Sequence, residues 1–175
     1  MGILRNLGLL IMKKVIVVYY SLIGNTKLIA EAIAESINSD VLELKPVKEL
    51  SANGSMKYVW GGYQATMKKK PKLKVFDTNP LEYDLIFLGT PVWAWRYSPP
   101  IRSFLSMFDL SGKNVALWTC SAGDGIKAMS RFKEALKKAN IVGEIRFQMP
   151  KQRDTEEAKE KGASWAKETI QNIKN

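Results

Sequence analysis

Two rhythms of apolar and polar residues take turns along this chain. Val15-Ile16-Val17-Val18-Tyr19-Tyr20 is apolar at every position, the pattern of a strand covered on both faces. The period then lengthens: Leu28, Ile29, Ala32, Ile33 and Ile37 fall on one side of a helix over about 25–38. A second strand, about 40–45, sets Leu42 and Leu44 against Glu43 and Lys45 and stops at Pro46, which predicts a half-exposed edge. Met56, Val59, Trp60, Tyr63 and Met67 recur at helical spacing within 52–69. They predict a core helix, although Gly61-Gly62 interrupt it; a lid is the other use for Trp60 and Tyr63. Tyr83 to Gly89 and Asn114 to Thr119 are again apolar throughout, hence central strands. Between them Ser98-Pro99 opens a helix that buries Ile101, Phe104, Leu105 and Phe108. A helix over about 126–139 buries Met129, Phe132 and Leu136. The last strand alternates Ile145, Phe147 and Met149 with Glu144, Arg146 and Gln148, a second edge. Asp154 with Glu157 has the spacing of a capping box, and the final helix buries Trp165, Ala166, Thr169, Ile170 and Ile173.

Five strands alternating with helices predict an α/β fold, a doubly wound five-stranded parallel sheet with helices on both faces. Strands one, three and four read as central, and strands two and five as edges. Order 2-1-3-4-5 gives that burial; order 3-2-1-4-5 would bury strand two and expose strand three. In the chosen order the winding reverses between strands one and three, and ligands bind outside their carboxyl ends. Three short non-helical loops fall at those ends: 21–26, 90–97 and 120–125.

The first loop, Ser21-Leu22-Ile23-Gly24-Asn25-Thr26, leads from a buried strand into a helix. Backbone N–H groups there lack intrahelical partners and the helix dipole is positive, so the turn suits an anion without any lysine or arginine. An ordinary helix N-cap by Asn25 or Thr26 fits the same residues. No G-x-x-x-x-G-K-[ST] or G-x-G-x-x-G pattern competes. The second loop gathers Trp93, Trp95 and Tyr97 just past a buried strand. An exposed aromatic cluster calls for a flat partner such as an isoalloxazine ring, unless alternate members fold into the core. Arg96 reads as a rim charge. The third loop, Cys120 to Gly125, is small enough to lay its backbone N–H groups along a ring edge. Cys120 reads as a buried small apolar residue and Asp124 as a helix cap.

Composition narrows the chemistry. One cysteine and no histidine exclude intrachain disulfides, His/Cys metal sites and histidine-based triads. A formal charge of +10 over 175 residues favours acidic surfaces as partners. The lysines are scattered apart from Lys68-Lys69-Lys70 with Lys72 and Lys74, and no nucleic-acid-binding motif accompanies them, so no nucleic-acid role is expected. Residues 1–12 read as an extension ahead of a domain over 13–175. The apolar part of residues 1–11 is too short to span a bilayer and lacks a cleavage site. It is expected to pack as a short helix, or to precede a natural start at Met12.

Tyr19 to Thr26 resembles the flavodoxin signature, an apolar strand followed by [ST]-x-x-G-x-T. Tyr83 to Trp93 is similar to the third strand and first ring-contacting loop of that family, Ser98 to Leu105 to the helix that follows, and Ser111-Gly112-Lys113 with Ser121-Ala122-Gly123 to the last flavin loop. The resemblance runs from Lys13 to Asn175 and implies a flavodoxin-like fold. It implies non-covalent flavin mononucleotide (FMN), electron transfer with redox partner proteins, and a cytoplasmic place. Ser21, Leu22, Ile23, Gly24, Asn25 and Thr26 would hold the phosphate. Thr90, Pro91, Val92, Trp93, Ala94 and Trp95 would flank the ring, and Cys120, Ser121, Ala122, Gly123 and Asp124 would meet its pyrimidine end. Catalytic side chains and metals are not expected. The other function this fold supports is an FMN-dependent NAD(P)H:quinone or flavin reductase. Two departures stand out. The chain is basic where electron-shuttling flavodoxins are typically acidic, which predicts either acidic partners or a role other than shuttling, and a less negative potential. Ala94 stands where many flavodoxins have a glycine, which predicts a weakly stabilised neutral one-electron-reduced flavin.

Overall fold

The computed structural model describes residues 14–50 and 54–174. The expectations for the extension at 1–12 and for the start of the 52–69 helix lie outside those residues. In chain order the elements are β1 (Val15–Tyr19), α1 (Asn25–Ile37), β2 (Asp40–Glu43), α2 (Met56–Thr66), a 3-10 turn (Pro80–Glu82), β3 (Leu85–Trp93), β4 (Arg96–Tyr97), α3 (Pro99–Met107), β5 (Asn114–Ser121), α4 (Ile126–Ala135), β6 (Asn140–Gln148) and α5 (Thr155–Lys174).

The main sheet runs β2-β1-β3-β5-β6, with every neighbouring pair parallel. This is the predicted order 2-1-3-4-5 once the two-residue β4, which pairs antiparallel with the end of β3, is set aside. The register places Val17 beside Val41 and Phe87, and Phe87 beside Ala116.

Alternate residues of the three central strands feed two cores. Ile16, Val18, Ile86, Leu88, Val115 and Leu117 meet Ile101 and Phe104 of α3 and Phe132 of α4 on one face. Val17, Phe87, Ala116 and Trp118 meet Ile29 and Ile33 of α1 and Ala166 of α5 on the other. Each such large side chain stabilises the fold by about 1.5–3 kcal/mol, which is why these strands hold the sheet's centre. Just past β2 the chain pairs with an irregular strip: the Val47 and Lys74 N–H groups donate to the Lys72 and Lys45 carbonyls. Among the described residues no helix is long and apolar enough to cross a membrane.

Three local expectations change. Trp60 and Tyr63 do not belong to a core helix: the apolar stripe of α2 faces outward, with Met56, Val59, Trp60, Tyr63 and Met67 between 49% and 62% exposed. Gly61 and Ala65 are the buried residues of α2. Secondly, the aromatic loop reverses direction at residues 94–95. Ala94 and Trp95 both have positive φ, 47° and 57°, as a two-residue hairpin turn requires. Thirdly, Tyr97 does not join an exposed cluster; it is buried and stacks on Phe132 at 5.2 Å.

Candidate functional site

The carboxyl ends of β1, β3 and β5 frame a crevice of about 200 Å³, lined by segments from all three predicted loops. Eleven of the predicted residues line it: Ser21, Leu22, Ile23, Asn25, Thr26, Pro91, Val92, Trp93, Cys120, Ser121 and Ala122. A larger depression of about 330 Å³, walled by Phe108 and Lys138 among others, lies at the amino ends of the strands, where this fold type presents no ligand loops.

The first wall is the turn into α1. Gly24 stands at φ 93°, a left-handed position that glycine adopts without strain. Its N–H donates to Ser21 Oγ at 3.1 Å, so the Ser21 hydroxyl keeps its own proton for another acceptor. No side chain caps α1, and its first turn carries no acidic residue. Its leading N–H groups and positive dipole end are therefore open to an anion. Thr26 is fully buried, and its hydroxyl has no oxygen or nitrogen partner, only the weakly bonding Cys120 thiol beside it. A buried hydroxyl without a strong partner costs about 1–3 kcal/mol, which a ligand acceptor would relieve.

The second wall is Trp93. Its ring meets Tyr20 edge-on at 5.6 Å. Behind it, a Cβ on Gly61 would come within 3.1 Å of the indole, so α2 packs this close only because residue 61 is glycine. Tyr20 is itself buried and donates to Glu49 Oε1 at 2.8 Å. Burial, then that hydrogen bond, hold its phenol protonated far above the ordinary range. Trp93 is thus half-buried against a fixed backing and lines the crevice.

The third wall is the loop after β5, which β6 ties back. Arg146 Nη1 donates to the Asp124 carbonyl at 2.8 Å, Gln148 Nε2 to the Ala122 carbonyl at 2.8 Å, and the Met149 N–H to the Ser121 carbonyl at 3.0 Å. Cys120 is 3% exposed, and burial pushes its thiol up to about 12 against a small opposing pull from Thr26. It is an inert wall residue at neutral pH.

Six predicted site residues do not line the crevice. Gly24 shapes the turn below it. Thr90 is fully buried: it accepts from the Ser98 N–H at 2.9 Å and lies 3.0 Å from the Ser98 hydroxyl, linking β3 to the start of α3. Ala94 and Trp95 form the hairpin tip, Trp95 68% exposed, with its carbonyl held by Arg131 Nη1 at 2.8 Å. Gly123 and Asp124 face a neighbouring depression on the β6 side, and Asp124 caps α4 through the Ile126 N–H at 2.9 Å.

Sequence reasoning missed Lys57, Tyr58, Met149 and Gln152, which also line the crevice. The strand order held the signal for the last two, because the end of the fifth strand also opens on this side. The lid reading of Trp60 and Tyr63 pointed α2 here, but the residues of α2 that line the crevice are Lys57 and Tyr58. The lining contains no carboxylate, and among the described residues no cluster of His, Cys, Asp and Glu is fit to hold a metal ion.

The family model described as flavodoxin matches residues 14–169. A flavoprotein from Lactobacillus acidophilus NCFM, solved in complex with FMN, is 28% identical with a TM-score of 0.68, over 82% of this chain and 97% of that one. The NMR structure of an apo-form flavoprotein from the same organism is 32% identical, with a TM-score of 0.61 over 81% of this chain and 96% of that one. Oxidised Flavodoxin 2 from Bacillus cereus shares the fold at 23% identity, with a TM-score of 0.58 over 90% and 98%. No curated protein matches the sequence significantly.

Proposed function

The chain belongs to the flavodoxin family, and from that premise we propose that its crevice binds FMN and that the protein carries electrons between redox partners. The observation that carries the reading is the start of α1: an uncapped helix end with a buried Thr26 hydroxyl that has no oxygen or nitrogen partner, beside an apolar slot backed by Trp93. Phosphate suits the first feature and a flat ring the second. The residues present therefore fit the cofactor.

In this reading the α1 N–H groups and the Ser21 and Thr26 hydroxyls hold the phosphate. Leu22, Trp93, Tyr58 and Met149 exclude water from the ring, and the backbone of 120–123 meets its polar edge. Bound FMN supplies the redox chemistry, accepting and returning one or two electrons. The chain supplies position and field. The lining holds no carboxylate and the Cys120 thiol stays protonated, so the side chains left to meet a second substrate as acid or base are Lys57 and Tyr58. The binding unit is the domain from residue 13 onward, and a soluble carrier of this kind belongs in the cytoplasm.

Titration of the apoprotein with FMN, followed by flavin fluorescence and the visible bands, is expected to give one-to-one binding. Steady-state NADPH oxidation by the loaded protein, with and without a quinone, is expected to stay near background. A protein that gains no flavin absorbance would end the reading, and fast quinone-dependent oxidation would replace the carrier with the reductase.

A further inference from the structure

Lys151 stands in the turn after β6, far in sequence from the phosphate loop and against it in space. Its backbone N–H donates to Asn25 Oδ1 at 3.0 Å. Its side chain then runs over Gly24: a Cβ built on that glycine would lie 2.9 Å from Lys151 Nζ, 3.3 Å from Cδ and 3.7 Å from Cε. The ammonium thus rests on the face of the residue that precedes the first turn of α1. Among the described residues nothing neutralises it there. The first turn of α1 has no acidic residue, and among the described residues no carboxylate pairs with Lys151. Two positive features, a dipole end and an ammonium, have been brought together with no anion of the chain's own between them.

We propose that Lys151 is a phosphate-binding residue: its ammonium donates a charge-assisted hydrogen bond to the terminal phosphate held at the start of α1, and so sets the preference for FMN over riboflavin. The inference rests on the FMN reading and goes beyond it, because a turn of this kind can hold an anion on backbone groups alone. A phosphate monoester carries about −1.5 to −2 charges near neutral pH, more than one helix end offsets. The tether explains how a flexible lysine is kept in place. Its backbone is pinned to Asn25, so only the side chain must order when the phosphate arrives. The same tether makes the residue testable, since replacing the exposed side chain leaves the backbone hydrogen bond intact.

Apoprotein of wild type, Lys151→Met, Lys151→Arg and Lys138→Met is titrated with FMN and with riboflavin at low and at high salt. The expected result is an FMN Kd weakened about tenfold in Lys151→Met, with riboflavin affinity unchanged within about twofold and a flatter salt dependence. Lys151→Arg should keep most of the FMN affinity. Lys138→Met, which removes the same charge at the opposite end of the sheet, should match wild type. An unchanged FMN Kd in Lys151→Met overturns the proposal, as does equal weakening of both flavins or equal weakening in Lys138→Met. A wild type that binds neither flavin overturns the FMN reading and this proposal with it, and the wild-type titrations alone reveal that case.

Discussion

Ala94 is one of the places where the backbone departs from what its residues prefer. It and Trp95 occupy the left-handed region, where a Cβ meets the neighbouring carbonyl and costs about 1–2 kcal/mol. The β3–β4 pairing and the Arg131 hydrogen bond to the Trp95 carbonyl hold them there. Ala94→Gly should therefore raise stability by about 0.5–1 kcal/mol, the relief of strain being partly offset by the greater freedom of glycine in the unfolded chain. Urea denaturation with an unchanged slope and a higher midpoint is the expected observation; a lower midpoint would mean the turn is not left-handed in solution. The turn was illegible in the sequence because its residues are not turn formers. Neither asparagine nor glycine stands at 94 or 95, so Trp93 to Tyr97 read as one aromatic cluster. The structure divides it into a buried Tyr97, a half-buried Trp93 and an exposed Trp95. Gly24 and Thr26 were legible, since a loop between a buried strand and a helix offers few places for such residues.

Strand order was legible at the scale of elements because burial on both faces writes itself into sequence. Helix α2 was half legible, and the failure has a physical cause. Periodicity shows that one face of a helix is apolar, and it does not say whether that face meets the core. In α2 the core takes the small side, Gly61 and Ala65, because Trp93 leaves no room for more. Of the two glycines that weakened the helix assignment, Gly61 was a packing signal. Trp60→Ser should then change stability by less than about 0.5 kcal/mol, as at an exposed site, where a core tryptophan would cost several. The glycines should diverge. A methyl at Gly62 has Ala94 Cβ at 3.9 Å as its nearest neighbour, so Gly62→Ala should stabilise by about 0.5–1 kcal/mol through helix propensity. A methyl at Gly61 meets the Trp93 ring at 3.1 Å. Gly61→Ala should gain nothing in stability, disturb the near-UV circular dichroism of Trp93 and loosen FMN. Equal behaviour of the two variants would show that α2 does not brace the crevice.

At the scale of the whole molecule the decisive quantity is charge. The sequence carries +10, and the crevice lining contributes Lys57 but no carboxylate. Fully reduced flavin is an anion near neutral pH, whereas oxidised flavin is neutral at the ring, so a positive field stabilises the product of reduction. The potential should accordingly be less negative than in acidic members of the family. The field has two sources that salt separates. Charges spread over the surface act across more than about 10 Å and are screened as the Debye length falls from about 30 Å at 0.01 M to about 3 Å at 1 M. The dipole end of α1, and Lys151 in the role proposed for it, would act at the phosphate itself and resist screening. Raising salt over that range should thus move the two-electron midpoint negative by on the order of tens of millivolts, because a protein's surface field of several kT per charge is halved when read on a two-electron couple, and leave a residual offset. Electron exchange with acidic partner proteins should slow over the same range, because the same field steers their approach. Potentiometric titration at both extremes checks the first part. A midpoint that is strongly negative at low salt, or one that salt does not move, would show that the ring is shielded from the protein's charge and that the basic surface serves partner encounter alone.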